Sequence, residues 1–135
     1  MREANLPEGQ WGAYVQRTGT VWLQAGMTRS QRVATLLHEL LHVLAGHDGH
    51  QDEATERRID EDVARVLVDA IDYSWAESQV GCHVGGLAAL LEVPTWVVEA
   101  YQRALAGLKQ PLASVMAIPS ALIARRRMVL DIVKP

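Results

Sequence analysis

Hydrophobic and polar positions alternate in three distinct rhythms along the chain. Residues 1–10 are polar, carry Pro7 and Gly9, and read as an arm. Trp11–Gln16 and Thr20–Gln24 are short runs of β-formers, with Tyr14, Val15, Val21 and Trp22, separated by the turn residues Arg17-Thr18-Gly19. That pattern predicts a hairpin, which needs a partner to pack on. Thr28 followed by Gln31 is a capping-box signature. From there Val33, Leu36, Leu37, Leu40, Leu41 and Leu44 recur at helical spacing and predict a helix over Arg29–Ala45, stopped by Gly46. A polar turn, His47–Asp52, precedes a second helix from Glu53 to about Ala70. One of its faces reads Ile59, Val63, Val66, Leu67, Ala70, and the other carries Arg57, Arg58, Glu61, Asp62, Arg65 and Asp69. Beyond it the reading is a linker with Tyr73, Trp75 and Gly81–Gly86. Short helices follow near Gly86–Leu91 and Thr95–Leu108, and a last one over Ser114–Val133, interrupted near Pro119. The expected fold class is α+β: a single, mostly helical domain over 1–135, with a small N-terminal hairpin packed on the first helix. It divides into an arm (1–10), the hairpin with two helices (11–72) and a C-terminal helical part (73–135).

Composition narrows the function classes. Of 135 residues 49% are hydrophobic, an ordinary globular level. The net charge of −3 does not favour a protein that holds nucleic acid by charge, so no direct nucleic-acid partner is expected. Cys82 is the single cysteine, which rules out an internal disulfide and suits a reducing compartment. The first residues have no apolar run, and no stretch approaches the roughly 18 apolar residues of a membrane span, so the expected location is cytoplasmic, away from membranes.

The chemistry concentrates in HELLHVLAGHDGH, which runs from His38 to His50 and holds four of the five histidines. Its first five residues fit His-Glu-x-x-His. At about 100° per residue, His38 and His42 stack one turn apart on one helical face, opposite the leucine stripe. Two imidazoles at that spacing grip one metal ion. Glu39, rotated one residue away, is placed to take a proton from a metal-bound water. Ala34, Thr35 and Ala45 flank the pair with small side chains, leaving that face open for chemistry or a second helix.

A catalytic zinc site wants a third protein ligand. His47 and His50 lie nearest, but the extended pattern His-Glu-x-x-His-x-x-Gly-x-x-His fails here. Position 45 is Ala, position 48 is Asp, and His50 arrives two residues late. His47 and His50 read as solvated turn residues or rim, although a looser turn would still deliver His50. Glu56 fits better. Glu56 and Asp60 open the stripe that continues as Val63 and Leu67, and a carboxylate on an apolar stripe is expensive unless paired or bound to metal. Asp60, one turn deeper, is placed to accept a ring N–H from a histidine ligand. An exposed first-turn position for Glu56, favoured by the helix dipole, is the bland alternative.

RSQRVATLLHELLHVLAG and ERRIDEDVARVLV, with the lead-in LPEGQWGAYVQRTGTVWLQAGMT, resemble the ImmA/IrrE family of zinc metallopeptidases. Glu56, Ile59, Ala64, Arg65, Leu67 and Val68 fall in places that match that family's second helix, and LAALLEVPTWVVEAYQRAL is similar to its later helix pair. The resemblance covers roughly residues 6–105. Two departures stand out: Leu41 occupies the place of a common glycine, and the Leu-Leu-Met-Pro that often ends the second helix is replaced by Val66–Asp69. The resemblance implies a zincin-like fold and Zn²⁺ held by His38, His42 and Glu56, with Glu39 as catalytic base. It also implies a protein substrate, a helix-turn-helix repressor of a prophage or mobile element in a bacterial host. His83 and Tyr73 are the candidates for stabilising the oxyanion such a reaction forms.

Two rivals come from other classes. One is a zinc-binding protein that sequesters a repressor without cutting it, against which Glu39 argues. The other is a DNA-binding module, since LAALLEVPTWVVEAYQRA has a helix-turn-helix rhythm. Its would-be recognition helix, however, carries no arginine before Arg103 to read guanine. Arg125-Arg126-Arg127 reads as a solvated helix end or a contact for a partner.

Overall fold

A computed structural model of the chain describes residues 1–49 and 51–108. The described elements are β1 (Arg2–Ala4), β2 (Gly12–Val15), a 3-10 turn (Gln16–Thr18), β3 (Thr20–Gln24), α1 (Arg29–Ala45), α2 (Glu53–Leu67), α3 (Ala70–Val80), α4 (Val84–Leu91) and α5 (Thr95–Gly107). The class is α+β, a mostly helical chain with a small N-terminal sheet.

The sheet runs in the order β1-β3-β2. β2 and β3 form the expected hairpin, antiparallel with Gly12 opposite Leu23 and Val15 opposite Thr20. The turn closes through Gly19 at φ 60, a left-handed conformation that suits glycine. Alternation along β3 buries Val21 and Leu23 and leaves Thr20, Trp22 and Gln24 partly exposed, so one sheet face rests on α1. Residues 1–10, expected to be an arm, contain a strand instead: Arg2–Ala4 pairs parallel with Trp22–Gln24 as β1. Side-chain ties hold it there. Arg32 of α1 forms an ion pair with Glu3, and the Arg2 guanidinium lies 5.8 Å from the Trp22 ring centre.

α1 starts where its capping box predicts. The Gln31 N–H donates to Thr28 Oγ1 at 3.3 Å, and the Thr28 N–H donates to Gln31 Oε1 at 2.9 Å. Its buried face is wider than the leucine stripe: Ala34 and Thr35 are buried as well, Thr35 against Gly12 of β2, while Leu44 is 58% exposed. The face of small residues is therefore not open over its first half. α2 begins at its N-cap Asp52, whose carboxylate accepts from the Thr55 N–H at 2.7 Å.

α2 ends at Leu67, short of the expected Ala70, because Asp69 caps a new helix: its Oδ1 accepts from the Ile71 and Asp72 N–H groups. What read as a linker is α3, and Ala70 is exposed at its start. α4 and α5 lie close to their expected places. α5 packs mainly against α2 and buries Val97, Val98, Ala100, Tyr101 and Ala104. The helix considered as a DNA reader is thus an inner element of the core. The expected helix over Ser114–Val133, with Arg125–Arg127, lies outside the described residues, as does His50. Among the described residues no helix is long and apolar enough to cross a membrane.

Candidate metal centre

α1 and α2 pack against each other, joined by the reversal through 46–52. His38 and His42 lie on the last turns of α1, and Glu56 lies in the first turn of α2. The packing brings three side-chain atoms together. His38 Nε2 and His42 Nε2 are 3.0 Å apart, and Glu56 Oε2 is 3.2 Å from the first and 3.1 Å from the second. All three side chains are largely but not wholly covered, at 20%, 12% and 29% exposure. Among the described residues this is the group of His, Cys, Asp and Glu side chains able to hold a metal ion.

The donor set fits a zinc ion. With bonds of about 2.0–2.1 Å, a tetrahedral zinc separates its ligand atoms by about 3.3 Å, close to the separations here. The protonation pattern fits too. A carboxylate only accepts, so the 3.0 Å contact between His38 Nδ1 and Asp60 Oδ1 places a ring proton on Nδ1, and in the neutral ring Nε2 then carries the lone pair. That lone pair faces the Glu56 carboxylate and the second imidazole, an arrangement that a cation between them stabilises.

Each histidine has its own support. His42 Nδ1 lies 3.0 Å from His47 Nδ1, a residue that read as solvated turn or rim. The helix end explains how it gets there. Gly46 adopts φ 73, its N–H bonds back to Val43 O, and the His47 N–H bonds to His42 O, a six-residue closure that folds the chain over the last turn. With Nε2 as a metal ligand, His42 would donate its Nδ1 proton and His47 would accept. A histidine directly after a helix-ending glycine was the available signal. Trp96 of α5 is a second unforeseen neighbour, edge-on to the His38 ring at a centroid distance of 6.3 Å. No local pattern connects position 96 with position 38.

The environment sets the proton affinities. Burial pulls His38 down, but the hydrogen bond and charge of Asp60, helped by Glu39 and Glu56, outweigh it and hold His38 above the ordinary histidine value. His42 is held below that value, by burial first and then by the neighbouring His38. Burial pushes the Glu39 carboxyl up, with Glu56 adding to the push and His38 opposing it. Glu39 is covered from the sheet side by Gly12 of β2, where a Cβ would lie 2.8 Å from Glu39 Oε1.

The other two candidates are held elsewhere. Tyr73 is buried against Tyr101, with ring centres 4.8 Å apart, and its hydroxyl accepts from Gln102 Nε2. His83 is exposed and caps α4, its Nδ1 accepting from the Gly86 N–H at 3.0 Å. The structure brings together His38, Glu39, His42, Glu56 and Asp60 but directs the hydrogen bonds of Tyr73 and His83 to their own helices and α5. No family model matches the chain, and no curated protein or solved structure matches it.

Proposed function

We propose that the protein is a zinc-dependent endopeptidase. The observation that carries this reading is the convergence of His38 Nε2, His42 Nε2 and Glu56 Oε2 within 3.0–3.2 Å, with Glu39 one residue along the same helix. His38, His42 and Glu56 would hold the ion, the three protein ligands a catalytic zinc site needs. A zinc held there would supply Lewis acidity and activate a water for attack. Glu39 takes the proton and hands it to the leaving amine. Its raised proton affinity suits both halves of that task, since a base works best with a pKa near the operating pH. Asp60 and His47 fix the rings of His38 and His42 so that each presents Nε2.

The place of β2 at the edge of the sheet, among the described residues, supports a peptide as substrate. Gln24 N–H bonds to Trp11 O, and the register then alternates along β2, so the backbone groups of Gly12 and Tyr14 face away from β3. An extended peptide can pair with them and pass beside Glu39. The regulatory role, with a helix-turn-helix repressor as substrate, rests on the resemblance to the ImmA/IrrE family. Sequestering a repressor without cleavage is the second reading; the coverage of Glu39 against β2 favours hydrolysis over it. The test is metal analysis of the purified protein, expected at about one zinc per chain, followed by cleavage of candidate repressors by the parent and by Glu39→Gln. Equal cutting by the two would overturn the reading.

A further inference from the structure

The geometry points to Gly12 as the positioning residue for Glu39, an assignment that rests on the hydrolytic reading above. A Cβ built on Gly12 would lie 2.8 Å from Glu39 Oε1, 2.9 Å from Glu39 Cγ and 2.8 Å from Thr35 Cγ2. These separations are far inside ordinary contact, which for carbon begins near 3.5 Å. Gly12 does not have a positive φ, so the backbone conformation alone does not call for glycine. Close approach does. Opposite Gly12, Leu23 is fully buried, which fixes β2 and β3 on α1 and leaves the strand no room to lift. The backbone of β2 therefore forms the wall against which the Glu39 side chain lies.

Two of the three crowding atoms are side-chain ends. Glu39 Oε1 can swing away and the Thr35 methyl can be removed, whereas the strand is held by the hairpin ladder. An added methyl at position 12 is thus accommodated by displacing the Glu39 carboxylate. The shift is roughly 0.7 Å, the gap between 2.8 Å and ordinary contact. The three nearest atoms belong to Glu39 and Thr35 and not to His38, His42 or Glu56, so the base moves first and metal binding should be spared. A misplacement near 1 Å costs about 100-fold in rate.

The test has two arms. In the metal-free protein, NMR should show contacts from the Gly12 α-protons to the Thr35 methyl and the Glu39 γ-protons. Gly12→Ala should move the Glu39 side-chain signals and leave those of the His38 and His42 rings in place. In the zinc-loaded protein, with 4-nitrophenyl acetate as probe, Gly12→Ala should lower kcat by about 10- to 100-fold. KM and zinc affinity should be unchanged. Adding Thr35→Ser, which removes the crowded methyl, should restore part of kcat. Absent NMR contacts overturn the assignment. So does a loss of zinc affinity as large as the loss of kcat, or a Thr35→Ser addition without effect. Failure of the hydrolytic reading looks different: the loaded parent would hydrolyse the probe no faster than Glu39→Gln. The NMR arm then decides the Gly12 assignment alone.

Discussion

The α1–α2 pair and the α3–α4 pair are built from similar materials and do opposite things with their polar side chains. Between α1 and α2 the polar groups reach across: His38 to Asp60, 22 residues away, and His42 to Glu56, 14 residues away. Around α3 and α4 most bond at home, although Gln102 of α5 reaches the Tyr73 hydroxyl and the Cys82 carbonyl. Asp69 caps its own helix, Ser78 donates to Trp75 O, Cys82 donates to Glu77, and His83 caps the helix it begins. The facing positions there are Tyr73, Ala76, Leu87 and Ala88, ordinary core. Titratable groups are costly to cover. The α1–α2 pair covers His38, Glu39, His42, Glu56 and Asp60 and joins all but Glu39 across the interface, the arrangement that the proposed chemistry calls for; the α3–α4 pair spends most of its polar groups on caps and local bonds.

The contrast breaks most readily at the ligands and the base. His42→Ala or Glu56→Ala should strip most of the zinc, measured as metal per chain, while His83→Ala keeps it. Glu39→Gln should retain zinc and fold but lose about 10²–10⁴ in cleavage rate, the share a general base supplies.

Supports come next. Asp60→Ala should weaken zinc binding by about 10- to 100-fold in a competition titration. Removing Asp60 also leaves burial, which acts downward, as the main influence on His38. The sign follows directly. A raised folded value means the proton is bound more tightly in the native state, so its stabilising contribution is present at low pH and fades as pH rises through that value. Asp60→Asn should therefore shift the His38 ring titration of the metal-free protein downward by NMR; an upward shift would contradict the contact. Zinc and protons compete for the same lone pair, so zinc affinity of the parent should fall as the pH drops through the His38 value.

His47→Ala belongs lower, at about tenfold in zinc affinity, because an imidazole orients His42 without adding a carboxylate's charge. From the sequence His47 seemed expendable; a clear loss would separate the two views. Smallest is His83→Ala, expected to cost about 1 kcal/mol or less in thermal unfolding as a lost helix cap, with zinc content unchanged.

What was legible depended on how much of each signal was local. α1 was readable to both ends because its stripe, capping box and terminal glycine all lie within twenty residues. The pairing of Glu56 and Asp60 with the histidines was readable because both carboxylates interrupt an apolar stripe. β1 was not: Arg2-Glu3-Ala4 has no β-pattern, and its partner strand lies twenty residues on. α3 was missed because only Tyr73 and Ala76 face inward, too thin a stripe to show periodicity, while Ile71 and Trp75 stand exposed. Its best signal was the capping Asp69. Leu44, counted with the core by spacing, lies on the last turn of α1, where the stripe runs out into solvent. Gly12 and Trp96 act at the site through tertiary approach alone.

The reversal between α1 and α2 also has a mechanical side. His42 and Glu56 sit 14 residues apart on either side of it, with the end of one helix and the start of the next between them. An ion held by both would tie those positions together as a crosslink does, and closing a loop of that size would remove about 3 kcal/mol of chain entropy from the unfolded state. Occupancy and resistance to digestion would then become one quantity: the first turn of α2 would fray only on release of the ion, so metal-loaded protein should outlast metal-free protein under protease.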